Sequence, residues 1–202
     1  MRSVVVASTD KAYGESAKLP YTEEDRLAAS HPYDVSKACA DMLCSCYFHT
    51  YGLPVAVTRC GNIFGEGDLN FNRIIPGTIR SVLMKKRPAI RSDGTMVRDY
   101  VYVEDIADAN LLLAAELYGG RQKGEAFNFS YGQPRSVLEV VEAVQQQMGS
   151  SLKPEIKNEA TNEIPRQYLS AKKAAAILGW KPSFDFDKGL GRTIQWYRAY
   201  LQ

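Results

Sequence analysis

The chain has 202 residues, of which 45% are hydrophobic and 24% are charged, with 15 Gly and 9 Pro. This composition is ordinary for a globular protein and excludes collagen, coiled coils and low-complexity disorder. The formal net charge of +2 gives no electrostatic sign of a nucleic-acid partner or an acidic membrane surface. The sequence also has no apolar run of the roughly 18 residues that a membrane span needs, so no membrane partner is predicted.

The cysteines and histidines are few and poorly spaced for a metal site. The four cysteines are Cys39, Cys44, Cys46 and Cys60, and the chain has two histidines. Without a C-x-x-C pair, a zinc site is not predicted. We expect the cysteines to be small buried hydrophobic side chains in a reducing compartment. Because the opening segment also lacks a signal-peptide pattern, the cytoplasm is the expected location.

The first part of the chain predicts a strand, a helix and a second strand. Residues 4–7 form a β-branched run without alternation, which is typical of a parallel strand buried on both faces. Pro32 precedes a helical pattern over residues 33–50. Residues 55–60 predict a second buried strand, which ends before Asn62. This alternation favours an α/β fold with a parallel sheet.

The rest of the chain mixes helices with short strands. Helices are predicted over residues 74–86, 103–117, 136–148, 171–178 and 187–201, and strands over 89–91, 97–103 and 126–129. Ser136 and Glu139 have the spacing of a capping box at the start of the third of these helices.

Tyr33 and Lys37 are four residues apart, so a helix places them on one face. A nearby ammonium lowers a phenol pKa from about 10 and favours the phenolate, which makes Tyr33 a candidate general base. Such a pair also occurs on ordinary helix surfaces. The context adds weight, because Thr9 and Asn62 stand at the carboxyl ends of neighbouring predicted strands, where open α/β sheets bind ligands.

Four motifs follow one another along the chain. They are STDKAYG at residues 8–14, HPYDVSK at 31–37, RCGNIFG at 59–65 and VRDYVYVED at 97–105. Their order and spacing, with LGWKP near the end, resemble the extended short-chain dehydrogenases that act on nucleotide-sugars. The resemblance implies the C-terminal half of a Rossmann-type parallel sheet in residues 1–66. It also implies a smaller mixed α/β substrate lobe in residues 67–202, with the chain free to cross between the lobes.

The resemblance also implies roles for particular residues. Thr9 matches the residue that bonds the sugar 4-hydroxyl, and Tyr33 matches the catalytic base. Lys37 matches the lysine that tunes this tyrosine and holds the nicotinamide ribose of NAD. Cys60 lies in the segment that passes the nicotinamide, and Asn62 matches a substrate contact. No metal ligand is implied.

Arginines are the expected partners of the nucleotide diphosphate. Arg98 matches the arginine that grips it, a role that suits a charge-assisted fork. Arg73 is a candidate for the same phosphates and also reads as an ordinary surface arginine at a helix start. Epimerases often carry a further arginine near the final helices. Residues 159–163 contain no arginine, so Arg166 would have to take this role from a shifted position.

The Thr9-Asp10-Lys11 triplet resembles the CDP-glucose 4,6-dehydratases. In that reaction the sugar is oxidised at C4, loses water from C5 and C6, and is reduced at C6. Asp10 would be the acid of the elimination and Lys11 its base. Such a base needs its lysine pKa lowered from about 10.4. The alternative interpretation is that Asp10 is an ordinary turn residue. The VRDYVYVED motif looks more like epimerases and dTDP-type dehydratases, so the nucleotide base stays open.

The chain lacks the Gly-x-x-Gly-x-x-Gly turn that holds the NAD pyrophosphate in this family. The N-terminal part of such an enzyme is therefore expected to be missing and the NAD site incomplete. Three functions remain open: a dehydratase, a 4-epimerase or related reductase, and an inactive nucleotide-sugar binding fragment. The helix of Tyr33 is, by resemblance, the usual dimer helix, which implies a homodimer, although its apolar residues Val35, Met42 and Phe48 also suit plain core.

Overall fold

The computed structural model describes residues 2–161 and 163–201. The helices are α1 Pro32–Tyr51, α2 Ile74–Leu83, α3 Val103–Tyr118, α4 Val137–Met148, α5 Lys172–Leu178 and α6 Phe186–Tyr200. The strands are β1 Val4–Thr9, β2 Val55–Cys60, β3 Asn62–Phe64, β4 Ala89–Ile90, β5 Val97–Arg98, β6 Tyr100–Tyr102, β7 Ala126–Phe129, β8 Arg135–Ser136, β9 Glu155–Ile156 and β10 Arg166–Gln167. A 3-10 turn, Asp10–Tyr13, follows β1 directly.

The main sheet has three parallel strands in the order β1-β2-β7, which confirms the α/β fold. All six residues of the central strand β2 are buried. Strand β1 is mostly half-buried and Ala7 is exposed, so the prediction that this segment is buried on both faces was wrong. The reason is that β1 has only one neighbouring strand within residues 2–161 and 163–201, whereas β2 is covered on both sides.

Short strands build the region beyond the main sheet. Strand β3 pairs with β6, β4 pairs with β9, and β5 lies between β8 and β10. The predicted single strand over residues 97–103 is therefore two strands, because its halves pair with different partners on either side of Asp99. Asn62 likewise begins β3 instead of ending β2.

Two hydrophobic clusters form the core. The first packs α3 and α5 against the main sheet, where the rings of Phe129 and Trp180 meet edge to face with centroids 5.1 Å apart. The second joins α2, α4 and α6 to β6. The predicted capping box of α4 is present, with Ser136 and Glu139 bonding each other's backbone N–H groups. No helix in the described part of the chain is long and apolar enough to cross a membrane.

The outer face of α1 differs from the prediction. Cys39 and Cys46 are exposed and Cys44 is partly exposed, so among the cysteines only Cys60 is a buried side chain as expected. The helix buries Asp34, Ala38 and Asp41 instead, and this spacing defines the face that packs on the sheet.

Of the three apolar residues predicted on that outer face, two are exposed and one is half-buried. Val35 and Met42 are 40% and 54% exposed. Phe48 is half-buried against Gly124.

Candidate functional site

A cleft of about 730 Å³ opens at the carboxyl ends of β1 and β2. The predicted site residues that line it are Thr9, Lys11, Tyr33, Cys60, Asn62, Arg73 and Arg98. They come from β1, the 3-10 turn, α1, β2, β3, the N-terminus of α2 and β5, as expected for a ligand site at the carboxyl edge of a parallel sheet. The other two, Asp10 and Lys37, lie beside the cleft without contributing to its wall.

The end of β1 places one hydroxyl on the cleft and one carboxyl beneath it. Thr9 has extended backbone and caps the 3-10 turn, accepting a hydrogen bond from the Lys11 N–H at 3.4 Å. Its Oγ1 donates to Oδ1 of Asp10 at 3.0 Å. Asp10 is 1% exposed, and Nζ of Lys11 lies 4.0 Å from the same Oδ1. In this arrangement Asp10 reaches the cleft through its two neighbours.

Tyr33 lies in the first turn of α1 with a phenol ring that is 56% exposed. Partial burial raises its pKa, Arg73 opposes the rise, and Asp10 and Asp34 add to it. Nζ of Lys37, which is predicted to lower this pKa, donates to the carbonyl oxygen of Ala7 at 3.1 Å.

Arg98 is a buried cation at the cleft wall, 5% exposed. Its Nη1 donates to the carbonyl oxygens of Val97 and Pro165 at 2.8 and 3.3 Å. Its Nη2 bonds Oε2 of Glu163 at 3.4 Å. The guanidinium is thus oriented by the backbone on one side and shared with a carboxylate on the other.

Arg73 is an exposed cation of the same cleft. It stands at the N-terminus of α2, and its Nη1 lies 3.0 Å from Oδ2 of Asp68. Arg166 does not join it, because Arg166 lines a separate groove of about 270 Å³ with Glu15 and Tyr168.

Sequence reasoning missed six charged residues of the cleft, which are Asp68, Arg80, Arg91, Lys157, Glu159 and Glu163. The partnership of Glu163 with Arg98 joins residues 65 positions apart, and no local pattern signals such a pair.

A buried network behind the cleft ties α1 to the main sheet. Nε and Nη2 of Arg59 donate to the two carboxylate oxygens of Asp41 at 2.7 and 2.9 Å. Nη1 of Arg59 donates to the Tyr13 hydroxyl at 2.9 Å, and that hydroxyl donates to Oδ1 of Asn128 at 2.8 Å. These contacts fix the position of the helix that carries Tyr33.

The residues present fit one end of a dinucleotide. The Tyr33 phenol is exposed, and the Lys37 ammonium uses one of its three donors on Ala7 at the end of β1. The Ser8 hydroxyl lines the cleft and has no hydrogen-bond partner among the described residues. These groups suit a ribose and a nicotinamide amide, whereas the sequence has no glycine-rich turn for a pyrophosphate.

Residues 1–129 match the family described as "NAD dependent epimerase/dehydratase family". The dTDP-glucose 4,6-dehydratase of Xanthomonas campestris pv. campestris is 34% identical over 201 residues, which cover 94% of this chain and 56% of that protein. The dTDP-glucose 4,6-dehydratase of Haemophilus influenzae is 33% identical over 205 residues, or 94% of this chain and 59% of that protein.

Solved structures share the fold. The dTDP-glucose 4,6-dehydratase from Bacillus anthracis in complex with NAD superposes with a TM-score of 0.89 at 33% identity, covering 98% of this chain and 62% of that one. The UDP-glucose 4-epimerase from Thermotoga maritima, solved with UDP-glucose, gives 0.90 at 27% identity, covering 100% and 65%. The chain thus spans a little over half to about two thirds of the length of these relatives. The motifs, the parallel sheet and these matches agree, and the chain belongs to the NAD-dependent epimerase/dehydratase family.

Proposed function

We propose that the chain carries the catalytic and substrate-binding part of an NAD-dependent nucleotide-sugar 4,6-dehydratase. The reaction converts a nucleoside-diphosphate hexose to the 4-keto-6-deoxy sugar. The observation that supports it is that Thr9 and Tyr33 line the same cleft as Arg73 and Arg98. Hydroxyl groups suited to a sugar and guanidinium groups suited to a diphosphate then meet in one site.

Tyr33 acts as the base at the sugar 4-hydroxyl, and Thr9 orients that hydroxyl. The Thr9 hydroxyl donates to Asp10 and can accept from the sugar, because a hydroxyl has lone pairs to spare. Since the pKa of Tyr33 is raised in this structure, its activity as a base requires the bound ligands and the Lys37 ammonium to favour the phenolate.

NAD would supply the hydride acceptor for C4 and the hydride donor for C6; with a solvent proton added at C5, the net change in the sugar would be the loss of one water. Tyr33 and Lys37 would hold its nicotinamide ribose, with Cys60 beside the ring. No residue in the ranges 2–161 and 163–201 is assigned to the pyrophosphate of NAD.

The Thr9-Asp10-Lys11 segment performs the elimination. Asp10, which reaches the cleft through Thr9, supplies a proton for the C6 hydroxyl, and Lys11, on the cleft wall, removes the C5 proton as a neutral amine. The resulting ammonium lies 4.0 Å from the Asp10 carboxylate and returns a proton to it, which restores the amine and the acid.

Arg98 and Arg73 hold the diphosphate, while the nucleoside base is not assigned. Arg98 is preorganised by two backbone carbonyl groups, and Arg73 is exposed and paired with Asp68. The division into residues 1–66 and 67–202 is part of the proposal, with β7 crossing back to the first lobe. A homodimer through the exposed face of α1 and a cytoplasmic location are also part of the proposal.

A 4-epimerase is the second candidate, and the likeness to a UDP-glucose 4-epimerase with a TM-score of 0.90 favours it. Epimerisation at C4 needs Tyr33 and Thr9 but no removal of the C5 proton. Lys11→Ala therefore separates the two reactions, because it abolishes dehydration and leaves epimerisation nearly intact.

The test incubates the chain with NAD and, in parallel, CDP-, dTDP- and UDP-glucose, and follows the sugar by chromatography that separates C4 epimers, coupled to mass spectrometry. Loss of one water from one of the three sugars supports the dehydratase and identifies the nucleobase of its substrate. An isomer of unchanged mass supports the epimerase. Binding of the nucleotides without either product, in a sample that calorimetry shows to bind NAD, would contradict both and leave the inactive binding fragment.

A further inference from the structure

Tyr100 lines the cleft and has no role in the proposed mechanism. It begins β6 and pairs in register with Asn62, which begins the parallel strand β3. Neighbouring strands lie about 4.8 Å apart, and in-register side chains of a parallel pair lie on the same face. The next pair on that face, Phe64 and Tyr102, has ring centroids 5.9 Å apart. Tyr100 and Asn62 are therefore side-chain neighbours on the cleft wall.

The ring of Tyr100 is fixed by the second hydrophobic cluster. The side chain is 5% exposed and meets the ring of Phe186 edge to face, with centroids 6.1 Å apart. The same cluster includes Ile75 and Ile79 of α2. Because packing already orders the ring, little rotational freedom is left to lose when a ligand contacts the hydroxyl. A buried tyrosine usually finds a hydrogen-bond partner for its polar tip, and here that tip belongs to a residue of the cleft wall.

The charges around Tyr100 make its hydroxyl a hydrogen-bond donor. Burial raises its pKa to about 12, an effect that Arg98 and Asn62 oppose and Glu163 increases. The hydroxyl is therefore protonated at physiological pH and can donate to an anion. A neutral O–H near the buried Arg98 guanidinium adds a donor to this part of the cleft without adding charge.

The neighbours of Tyr100 indicate which part of a ligand it meets. Asn62 follows Cys60 by two residues, and Cys60 pairs in register with Thr9, at the end of the cleft proposed for the sugar. Arg98 precedes Tyr100 by two residues and is proposed to hold the diphosphate. In a nucleoside-diphosphate sugar, one phosphate carries the sugar and lies between it and the second phosphate. A residue beside both Asn62 and Arg98 is therefore nearest to the sugar-bearing phosphate.

We propose that Tyr100 is a substrate-binding residue whose hydroxyl donates a hydrogen bond to the sugar-bearing phosphate of the nucleotide. The inference rests on the proposed function, because it uses the assignment of Arg98 to the diphosphate. A donor on an ordered ring marks the point where the sugar begins and so helps to place the sugar against Thr9. Hydrogen bonds to charged acceptors are among the stronger ones in proteins, so the loss of this bond should be measurable.

The test is calorimetric titration of the whole chain with CDP, UDP and dTDP, and with CMP, UMP and dTMP. Tyr100→Phe keeps the packed ring and should raise the Kd of the diphosphate that binds best by about ten-fold. The Kd of the matching monophosphate should not change, because a monophosphate lacks the phosphate that would carry the sugar. Tyr102→Phe is the matched control. This buried tyrosine of the same strand donates to Glu66, does not line the cleft, and should leave both affinities unchanged when replaced.

An unchanged diphosphate affinity in Tyr100→Phe would overturn the inference. An equal loss for the monophosphate and the diphosphate would also overturn it, because it would reveal a general disturbance of the cleft. A wild-type chain that binds none of the diphosphates would overturn both this inference and the diphosphate site of the proposed function.

The titration needs neither NAD nor turnover, so a chain that forms no product can still show the effect of Tyr100. In that case the proposed reaction fails and the phosphate contact stands. In an active sample, Tyr100→Phe should raise KM for the sugar nucleotide about ten-fold and leave kcat nearly unchanged, because the bond is made equally in the ground state and the transition state.

Discussion

Arg59 of β2 donates hydrogen bonds to both carboxylate oxygens of Asp41 of α1, at 2.7 and 2.9 Å, and both side chains are buried. The pair fixes the helix of Tyr33 and Lys37 against the centre of the sheet. Removing one member of a buried ion pair strands the other charge in the interior.

Asp41→Ala should therefore lower the free energy of unfolding by about 3–5 kcal/mol, measured by urea denaturation. The control is Glu116→Gln, which breaks the exposed, solvent-screened pair with Arg121 and should cost far less. Equal losses in the two variants would show that the Arg59–Asp41 contact does not anchor the helix.

Tyr33→Phe removes only the phenol oxygen from the cleft wall. We expect the rate of product formation to fall by about 10²- to 10⁴-fold, because a positioned proton acceptor is lost. Nucleoside-diphosphate affinity, measured by calorimetry, should be retained since the arginines are untouched. Tyr47→Phe, an exposed tyrosine of the same helix, should change neither quantity. A fully active Tyr33→Phe variant would refute the assignment of the base.

Glu163→Gln should tighten the binding of a nucleoside diphosphate. The Glu163 carboxylate takes one side of the Arg98 guanidinium, so a diphosphate must displace it. For a half-exposed partner the gain is modest, roughly two- to five-fold in Kd. Glu125→Gln, whose partner Lys173 lies outside the cleft, is the matched control. Weaker binding by Glu163→Gln would mean that Glu163 contacts the ligand favourably.

Buried tyrosines predict a loss of stability at alkaline pH. Burial raises the pKa of Tyr13 and Tyr100 to about 12, above the unfolded value of about 10. A raised folded pKa favours the protonated state, so this stability is complete below about pH 10 and is lost as pH rises toward 12. Urea denaturation across this range should show the decline, and Tyr100→Phe should flatten it. Exposed Tyr51→Phe should leave the slope unchanged.

Gly61 is predicted to tolerate no side chain. A Cβ there would stand 2.8 Å from the carbonyl oxygen of Asp99, which the surrounding strands hold in place. Gly61→Ala should cost about 1–3 kcal/mol of unfolding free energy. Gly191→Ala lies in α6, where the nearest atom is the flexible end of Gln147 at 3.4 Å. There we expect a gain of up to about 1 kcal/mol, because alanine favours helix.

Local patterns were sufficient for the long elements and for most of the cleft. The helix start at Ser136 depends on Glu139 three residues away, and the strand Val55–Cys60 on its own apolar run. The spacing of Tyr33 from Thr9 and Asn62 along successive elements also predicted one shared site, and all three line the cleft.

Features that depend on residues far apart in the sequence could not be predicted from such local patterns. Strands of two or three residues, such as β9 Glu155–Ile156, have no periodicity to read. The exposure of Cys39 depends on which face of α1 meets the sheet. Lys37 has a helix neighbour in Tyr33, and its ammonium donates to the carbonyl oxygen of Ala7 in β1, 30 residues earlier in the chain.

The place of β7 in the main sheet bears on how the molecule folds. Cys60 pairs with Phe129, so the central strand is completed only by a segment that follows it by more than sixty residues. Such non-local pairing makes a high contact order, which slows folding because a long loop must close first. On a ribosome, the cleft floor could not form before β7 had emerged. Until then the apolar residues of β2 would be exposed along one side, which is when a chaperone would have the most to bind.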